Sequence, residues 1–432
     1  MKKSFLILFW TLLTLTIFAN FVDKIVEKIE NDTQYLMALN SYNNALNNLK
    51  MEESILKNIG INEGVFTSRF YDNNNFKQLE IPLSLNMKIY GFDIIGTLKY
   101  TSDFNNNNNS YSVSISKKLF SFDDLNNIDK KILLLSTKWE LKNLKNSLFI
   151  NTLKNAYYYN YYSNLLNLQK EAFEIRKQLF YEAKKKYVKG IIGKIEYLTL
   201  QKNYLNEKIS INNLQISINK IKEYNIPDVI LIELSMPSTI TEIPLNREDI
   251  RAALLEVEKN KAKLKRKFVY DLPDINMGIL MNYNKNDLTN SYKTDTTIFL
   301  NFSYNIFDNN YRQNTKKSMD MDYIISLKKY KNKLNAIFTE IKNIQEKINN
   351  DELQLKSIDL EKQISEINYE TAKKQYEKGY LSLNELKLEK INMLKTHFEY
   401  ERIKAELLFD KLTLYNVLGY DIISIFEEEL NR

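Results

Sequence analysis

Hydrophobic and polar positions follow the same order of patterns twice along this chain. Apolar residues at three- and four-residue steps, typical of helices, cover residues 23–59. Strict alternation of apolar and polar residues, typical of strands, follows at about 79–102 and 111–120. A helical pattern without Gly or Pro then continues to Lys189. This order predicts a helix, a β-hairpin and one very long helix.

The second half of the chain repeats this order. Residues 247–267 have the helical pattern, and strands are predicted at about 274–284 and 297–307. Another helix free of Gly and Pro then extends to Lys378. The fold class predicted is therefore mainly α with β, built from a duplicated unit of helix, β-hairpin, long helix, turn and helix.

One eight-residue phrase ends the long helix of each half. "AKKKYVKG" (183–190) returns as "AKKQYEKG" (372–379), and each copy ends in one of only nine glycines. The glycine follows the end of the second predicted strand by 70 residues in the first half and by 72 in the second. A turn between antiparallel helices needs backbone angles that glycine adopts most easily. The phrase predicts two equivalent helical hairpin tips, near 190 and near 379.

The first twenty residues have the features of a secretory signal peptide. Lys2 and Lys3 precede an apolar run from Phe5 to Phe18, and Ala19 follows as a small residue at the cleavage point. A single membrane-anchoring helix is the alternative, but the run is short. The chain contains no cysteine, which excludes disulfides, cysteine-bound metals and a lipid anchor on an N-terminal cysteine.

These patterns define the domain boundaries. The prediction comprises a signal peptide (1–20), a first repeat (21–226), a proline-containing linker (227–246), a second repeat (247–420) and a C-terminal tail (421–432). The apolar phase of the first strand shifts near Gly91, which predicts a bend or bulge within that strand.

Four strands of this length raise the question of what they form. Tilted strands of about ten residues cross a bilayer as parts of closed barrels, and single-chain barrels start at about eight strands. Either several chains share one barrel or the strands form a small water-soluble sheet. Helices of nearly seventy residues need lengthwise partners, and Ile341, Ile344 and Ile348 have coiled-coil spacing. A barrel shared by several chains is therefore favoured.

Five tyrosines within "KNAYYYNYYSNLL" (154–166) are interpreted as interhelix packing, with a substrate-facing lining as the alternative.

Several phrases resemble the TolC-like family of outer membrane efflux proteins. "LPDINMGI" resembles the family's entry into a barrel strand, and "YNIFDNNYRQNTKK" resembles its exit into the long helix. The exit keeps Phe307, Asp308 and Arg312 but has Asn309 and Asn310 where glycines are usual. "YEKGYLSLNELKLEKINML" and, in the first repeat, "YVKGIIGKIEYLTLQKNYL" resemble its periplasmic tips, and "RIKAELLFDKLTLYNVLG" resembles its closing helix.

The resemblance implies a homotrimer in the outer membrane. Three chains would each give four strands to a twelve-stranded barrel, and twelve long helices would continue as a hollow periplasmic tunnel. The function implied is the exit duct of a tripartite efflux or type I secretion system. Its partners would be a periplasmic membrane fusion (adaptor) protein, an inner-membrane transporter of RND, ABC or MFS type, and outer membrane lipid.

The resemblance also assigns roles at the tips. Glu196 and Glu385, six residues after each tip glycine, correspond to the acidic ring that constricts the tunnel entrance. Thr199 and Leu388 stand where the family's next acidic position lies, which implies a weaker ring. Without the resemblance, either glutamate would be interpreted as a solvated residue on a lysine-rich helix.

The remaining tip residues concern the turn and docking. The tip glycines are Gly190 and Gly379. Ile192 and Leu381 replace the family's basic gate partner, so a salt-bridged lock is not expected. Tyr187 and Tyr376, three residues before each glycine, are expected to hydrogen-bond neighbouring helices and hold the entrance shut.

Two other classes of protein compete with this interpretation. A periplasmic coiled-coil adaptor would carry one hairpin in a small β-rich domain, and a structural stalk protein of the cell envelope would not need matched strand pairs. An enzyme is disfavoured, since the sequence has no nucleophile elbow or phosphate loop, and His397 is its only histidine. No cofactor is predicted. The net charge of +7, near +5 without Lys2 and Lys3, is too small to indicate nucleic acid binding.

Overall fold

A computed structural model describes most of the chain. It covers residues 21–430 except for gaps at 54–55, 64–66, 72–74, 90–91, 103–106, 121, 123–124, 227–228, 230, 237–244 and 287–290. The predicted signal peptide, Gly91 and part of the predicted linker lie outside the described residues.

Helices make up most of the described chain, and two of them are very long. They are α1 (21–30), α2 (Thr33–Glu53), α3 (Asn126–Val188), α4 (Lys194–Lys220), α5 (Glu248–Lys265), α6 (Tyr311–Glu377), α7 (Leu383–Val417) and α8 (Ile422–Leu430). Helix α3 has 63 residues and α6 has 67, which confirms the two long glycine-free helices predicted from the sequence. The spacing at Ile341 and Ile348 is also confirmed as a packing seam, because both side chains are buried.

The strands form one antiparallel sheet. They are β1 (Leu56–Glu63), β2 (Thr67–Tyr71), β3 (Asn75–Ile89), β4 (Phe92–Ser102), β5 (Asn107–Lys118), β6 (Asp274–Asn286) and β7 (Ser291–Ser303). Both β1 and β2 pair with β3, and the sheet continues in the order β3-β4-β5-β6-β7. Strand β5 of the first repeat pairs with β6 of the second, so the two repeats share a single hydrogen-bonded ladder.

The strand prediction for the first repeat needs two corrections. Residues 79–102 are not one bent strand, because β3 and β4 run antiparallel and Ile89 pairs with Phe92. The phase shift therefore falls between two antiparallel strands. Residues 56–59, predicted as helix, belong to β1, and the described sheet has seven strands where the sequence predicted four. Backbone pairing with β3 therefore decides the conformation of residues 56–59, although the spacing of their apolar residues is typical of a helix.

Register gives the sheet one apolar face and one polar face. Ile94 pairs with Ile115, Ile115 with Ile279, and Ile279 with Ile298, so four isoleucines cross four strands in one row. A row on the opposite face is polar, and its members are Thr97, Ser112, Asn282 and Asp295. None of the described residues covers this apolar face at β7, since Ile298 is 80% exposed.

Gly278 is the site of closest packing in the sheet. It pairs with Ser116 on one side and with Phe299 on the other. A methyl group on Gly278 would overlap the carbonyl oxygen of Ile115 and lie 2.6 Å from Cζ of Phe299. The ring of Phe299 thus covers the glycine from the neighbouring strand, an arrangement that pins register.

The exit from β7 into α6 uses asparagine in place of the family's glycines. Asn309 and Asn310 have φ values of 47° and 63°, the left-handed conformation that asparagine tolerates better than most residues. The guanidinium of Arg312 stacks on the ring of Tyr304 at 4.0 Å and donates a hydrogen bond to its hydroxyl at 2.7 Å. In this chain, asparagine therefore supplies the left-handed backbone at the exit into α6.

The chain divides into two compact units. One comprises residues 1–38, 140–244 and 335–432, and the other comprises residues 39–139 and 245–334. In the first unit the main core is built around Phe149, Phe409 and Phe426, and the rings of Phe149 and Phe426 meet edge to face at 5.4 Å. The second unit contains the sheet together with α5 and the sheet-proximal parts of α2, α3 and α6.

Candidate functional site: the helical tips

The first tip ends α3 with a Schellman motif. Gly190 has a φ of 70°, its amide donates to the carbonyl of Tyr187 at 2.9 Å, and the Ile191 amide donates to the carbonyl of Lys186 at 2.9 Å. This pair of bonds caps the helix C-terminus and requires the left-handed conformation at the glycine.

The second tip repeats the same geometry at the end of α6. Gly379 has a φ of 77°, its amide donates to Tyr376 at 2.9 Å, and the Tyr380 amide donates to Gln375 at 2.8 Å. The helical turns predicted from the duplicated phrase are therefore confirmed in both halves.

Glu385 is held by a capping box at the start of α7. Its Oε2 accepts from the Ser382 amide at 2.9 Å and from the Ser382 hydroxyl at 2.7 Å, while the Ser382 hydroxyl accepts from the Glu385 amide at 3.2 Å. The side-chain and then the backbone hydrogen bond from Ser382 hold the pKa of Glu385 below its usual range. The carboxylate is thus fixed, exposed and ionised at the tip.

Glu196 occupies the equivalent position without this partner. It is the third residue of α4, whose N-cap is Gly193, and that N-cap has no side-chain hydrogen bond. Glu196 is exposed. The two predicted entrance carboxylates therefore share a position on their helices but differ in how firmly each is oriented.

Removing the cap is expected to destabilise the second tip selectively. Ser382→Ala removes the hydroxyl that caps α7, at a cost of about 1 kcal/mol in local helix stability. Hydrogen exchange of amides 383–387 should become faster, and that of amides 194–198 should not change. Gly193→Ser is the matched gain-of-cap variant and should slow exchange at the start of α4. Exchange of amides 383–387 that is the same in Ser382→Ala as in the wild type would contradict the role of the box.

The other two residues predicted at the entrance are placed differently. Leu388 is buried, in a cluster with Ala172, Ile175 and Ile391 between α3 and α7, so it is a packing residue and the prediction that it lines the entrance is wrong. Thr199 is exposed, and its hydroxyl donates to the Ile195 carbonyl at 2.8 Å.

Tyr187 belongs to a ladder of aromatic rings within the first hairpin. Its ring stacks on Tyr197 at 4.8 Å, and Phe180 stacks on Tyr204 at 5.2 Å with an interplanar angle of 10°. The ladder continues to Phe173, which stacks on Tyr204 at 5.3 Å. Its members recur every seven residues on α3 and on α4. Within this chain, Tyr187 therefore fastens α3 to α4 through stacking.

The two tips present different surfaces. Val188, Ile191 and Ile195 are 79%, 66% and 84% exposed at the first tip. Exposed lysines surround them, namely Lys184, Lys185, Lys186, Lys189 and Lys194. At the second tip the apolar group consists of Tyr380 and Leu383, and Tyr376 is 39% exposed. Ile192 and Leu381 are half-buried at the two turns.

Two exposed apolar stripes with coiled-coil spacing were missed by the sequence analysis. On α4 the exposed residues Ile195, Leu198, Leu205, Ile209 and Ile216 occupy a and d positions of one heptad register, and we call them the α4 stripe. On α6 the exposed residues Leu353, Leu360, Ile364 and Ile367 do the same, and we call them the α6 stripe. Their heptad spacing was the available signal, but spacing alone does not separate exposed from buried seams.

The tyrosine-rich segment packs between helices, as predicted. Tyr157 stacks with Tyr161 and Tyr158 with Tyr162, at 6.3 and 5.5 Å between ring centroids. The hydroxyl of Tyr161 donates to Glu399 of α7 at 3.1 Å. Burial raises the pKa of Tyr157, Tyr158 and Tyr161 above the usual tyrosine range, so these phenols stay neutral.

In the described part of the chain, no helix combines the length and apolar character that a membrane span requires. Across the same residues, no group of three or more His, Cys, Asp or Glu side chains is placed to hold a metal ion.

Solved structures of outer membrane channels share this fold. The Campylobacter jejuni outer membrane channel CmeC aligns over 95% of this chain and 89% of its own, with a TM-score of 0.66 and 16% identity. The Vibrio cholerae outer membrane protein VceC aligns over 92% of this chain and 96% of its own, with a TM-score of 0.63 and 12% identity.

The open state of the Neisseria gonorrhoeae MtrE outer membrane channel aligns over 93% of this chain and 89% of its own, with a TM-score of 0.61 and 13% identity. No protein-family model and no curated protein matches the sequence. The chain therefore has the fold of the TolC-like outer membrane channels.

Proposed function

We propose that this chain is the outer membrane exit duct of an export system, a passive conduit from the periplasm to the outside. The observation that carries the proposal is the amphipathic sheet, whose uncovered apolar face and polar opposite face match what a bilayer on one side and water on the other require. Sharing the fold of solved outer membrane channels over more than nine-tenths of the chain supports the same conclusion.

The conduit is proposed to be a homotrimer. Within the described residues, β7 is one edge of the sheet and β1 with β2 forms the other, and a sheet in a bilayer must close because lipid leaves open edges unsatisfied. Several chains closing one barrel would satisfy both edges. The α4 and α6 stripes are unpartnered apolar seams that a neighbouring copy would cover. Because the described sheet exceeds four strands, the proposal does not retain the predicted total of twelve.

The tips are proposed as the docking site for a periplasmic adaptor, with an inner-membrane transporter beyond it. The first tip presents three exposed aliphatic residues within a group of five lysines. Apolar contact surrounded by positive charge fits a helical adaptor end with an apolar groove and acidic flanks.

Glu196 and Glu385 are proposed to form the entrance ring, two carboxylates from each of three chains. A narrow opening lined by carboxylates favours cations over anions. The capping box supports the assignment for Glu385, since it keeps that carboxylate ionised and exposed. The same box also gives Glu385 a structural role in capping α7, and the conductance experiment distinguishes that role from the selection of cations.

Conductance in planar bilayers tests the proposal. The mature chain should insert as discrete channels that favour cations, and Glu385→Gln should reduce that preference. Glu361→Gln, an exposed glutamate on α6, is the matched control and should leave it unchanged. If Glu385→Gln leaves the ion selectivity unchanged but speeds amide hydrogen exchange at the start of α7, the role of Glu385 is helix capping alone. A well-folded oligomer without channel activity would refute the proposed conduit and favour the adaptor or the stalk protein instead.

A further inference from the structure

A network of charged side chains connects three helices of the first unit along one face of α7. Glu399, Arg402, Glu406 and Asp410 succeed one another at three- and four-residue steps and therefore share a face. Side chains of α3 contact this face from one direction, and side chains of α6 contact it from another.

On the α3 side, each glutamate of the network has donors. Lys154 lies 3.1 Å from Glu406, and the Tyr158 hydroxyl donates to the same carboxylate. Glu399 accepts from Arg402 at 2.9 and 2.6 Å, in addition to the bond from Tyr161. These contacts supply both glutamates with hydrogen-bond donors.

On the α6 side, one donor faces two carboxyl groups. Lys347 donates to Oδ1 of Asp410 at 2.7 Å. Asp351 and Asp410 are each only 8% exposed, and the Oδ2 atoms of both are buried without a donor. Asp351 lies one helical turn after Lys347 on α6, so it is on the same side of that helix as the contact between Lys347 and Asp410. Two ionised carboxylates buried there without donors for their Oδ2 atoms would repel each other, so the packed state favours a proton on one of them.

The charges of the network lead to the same requirement. The carboxyl groups are Glu399, Glu406, Asp410 and Asp351, and the cations are Lys154, Lys347 and Arg402. The carboxyl groups outnumber the cations by one, so one added proton makes the cluster neutral. Burial, followed by the neighbouring Asp410, raises the pKa of Asp351 to about 7, which identifies Asp351 as the carrier of that proton.

We infer that the contact between α6 and α7 at Asp351 and Asp410 is a proton-dependent clamp. With the proton in place, Asp351 donates to Asp410, and Lys347 donates to the same carboxylate from the other side. Without the proton, two buried carboxylates face each other beside a single lysine, Lys347, and their repulsion loosens α6 from α7. The inference concerns this helix pair and does not depend on the channel assignment.

The sign of the pH dependence follows from the raised pKa. An acid whose pKa is higher in the packed state binds its proton more tightly there. Its contribution therefore favours the packed state most at pH values below the usual pKa of aspartate. Its stability then declines as the pH rises toward 7 and changes little beyond that point. Between about pH 5 and pH 7 the opening equilibrium should increase by up to about tenfold per pH unit.

Hydrogen exchange of the full-length oligomer between pH 5 and pH 8.5 tests the clamp. After correction for intrinsic exchange rates, protection of peptides spanning 345–355 and 405–414 should fall with rising pH in the wild type and level off above pH 7. Asp351→Asn keeps a donor for Asp410 but cannot titrate, so its protection should be independent of pH. Glu361→Gln, exposed on the same helix, should retain the wild-type slope.

Two results would overturn the clamp. One is protection in the wild type that does not change with pH, and the other is an Asp351→Asn variant that keeps the wild-type slope. If Asp351→Asn does not fold, Asp410→Asn replaces it; it removes the repulsion from the second carboxylate but leaves Asp351 buried, so the slope should become smaller, and an undiminished slope would overturn the clamp.

Discussion

Replacing Gly278 by alanine is expected to prevent formation of the folded sheet, and with it assembly of the oligomer. The added methyl group would overlap the Ile115 carbonyl oxygen and lie 2.9 Å from the Cα of Ser116, both of them backbone atoms that cannot rotate away. Strand β6 would have to move from β5, at a cost of about 1–3 kcal/mol or more for such overpacking. The fraction of chains recovered as folded oligomer after refolding into detergent, read by gel mobility without heating, measures the effect.

A second glycine of the same sheet supplies the control. A methyl group on Gly96 would lie 3.9 Å from the Leu85 carbonyl oxygen, an ordinary contact distance. Gly96→Ala should therefore yield as much folded oligomer as the wild type. Comparable yields from Gly278→Ala and the wild type would show that the sheet adjusts around β6, and the argument from close packing would fail.

Placing a charge in the α4 stripe is expected to convert the proposed trimer into single chains. Ile209 lies in the middle of that stripe and is 57% exposed in one chain, so Ile209→Lys should leave the fold of a single chain intact. In an assembly that covers the stripe, the lysine would be buried without a partner, at a cost of several kcal/mol. Native mass spectrometry from detergent should then show one chain in place of three.

Asn206→Lys adds the same charge beside the stripe. Asn206 is exposed next to Leu205, at a flanking position where coiled coils commonly carry lysine. This variant should remain trimeric. A trimeric Ile209→Lys protein would mean that the α4 stripe faces solvent in the assembly, and the subunit interface would then have to be assigned to other surfaces.

Features that depend on local spacing could be predicted from the sequence. The two tip turns follow from glycine at the end of a repeated phrase, and the long helices follow from the absence of Gly and Pro. The capping box at Glu385 was also readable, because Ser382 and Glu385 have the S-x-x-E spacing before a helix. In the first tip, Gly193 stands at the corresponding position and gives no such signal.

Features that depend on distant partners could not be predicted in this way. An alternating pattern that shifts phase fits a bulge or a hairpin turn equally well, and only the pairing of Ile89 with Phe92 decides between them. Leu388 shows the same limit on a helix, since its spacing from Gly379 indicated the entrance but its packing against Ala172 and Ile175 buries it. Asp351 and Asp410 are 59 positions apart, and nothing in either local sequence marks them as a pair.

Pairing between β5 and β6 also makes completion of the sheet depend on both repeats. Val113 pairs with Met281, 168 residues later in the chain. During folding, β5 therefore has an unpaired edge until β6 of the second repeat reaches it. Such non-local pairing slows folding and leaves apolar strands open to aggregation in the meantime. A fragment that stops after the first repeat should therefore accumulate as aggregate, whereas the complete chain can satisfy that edge from its own sequence.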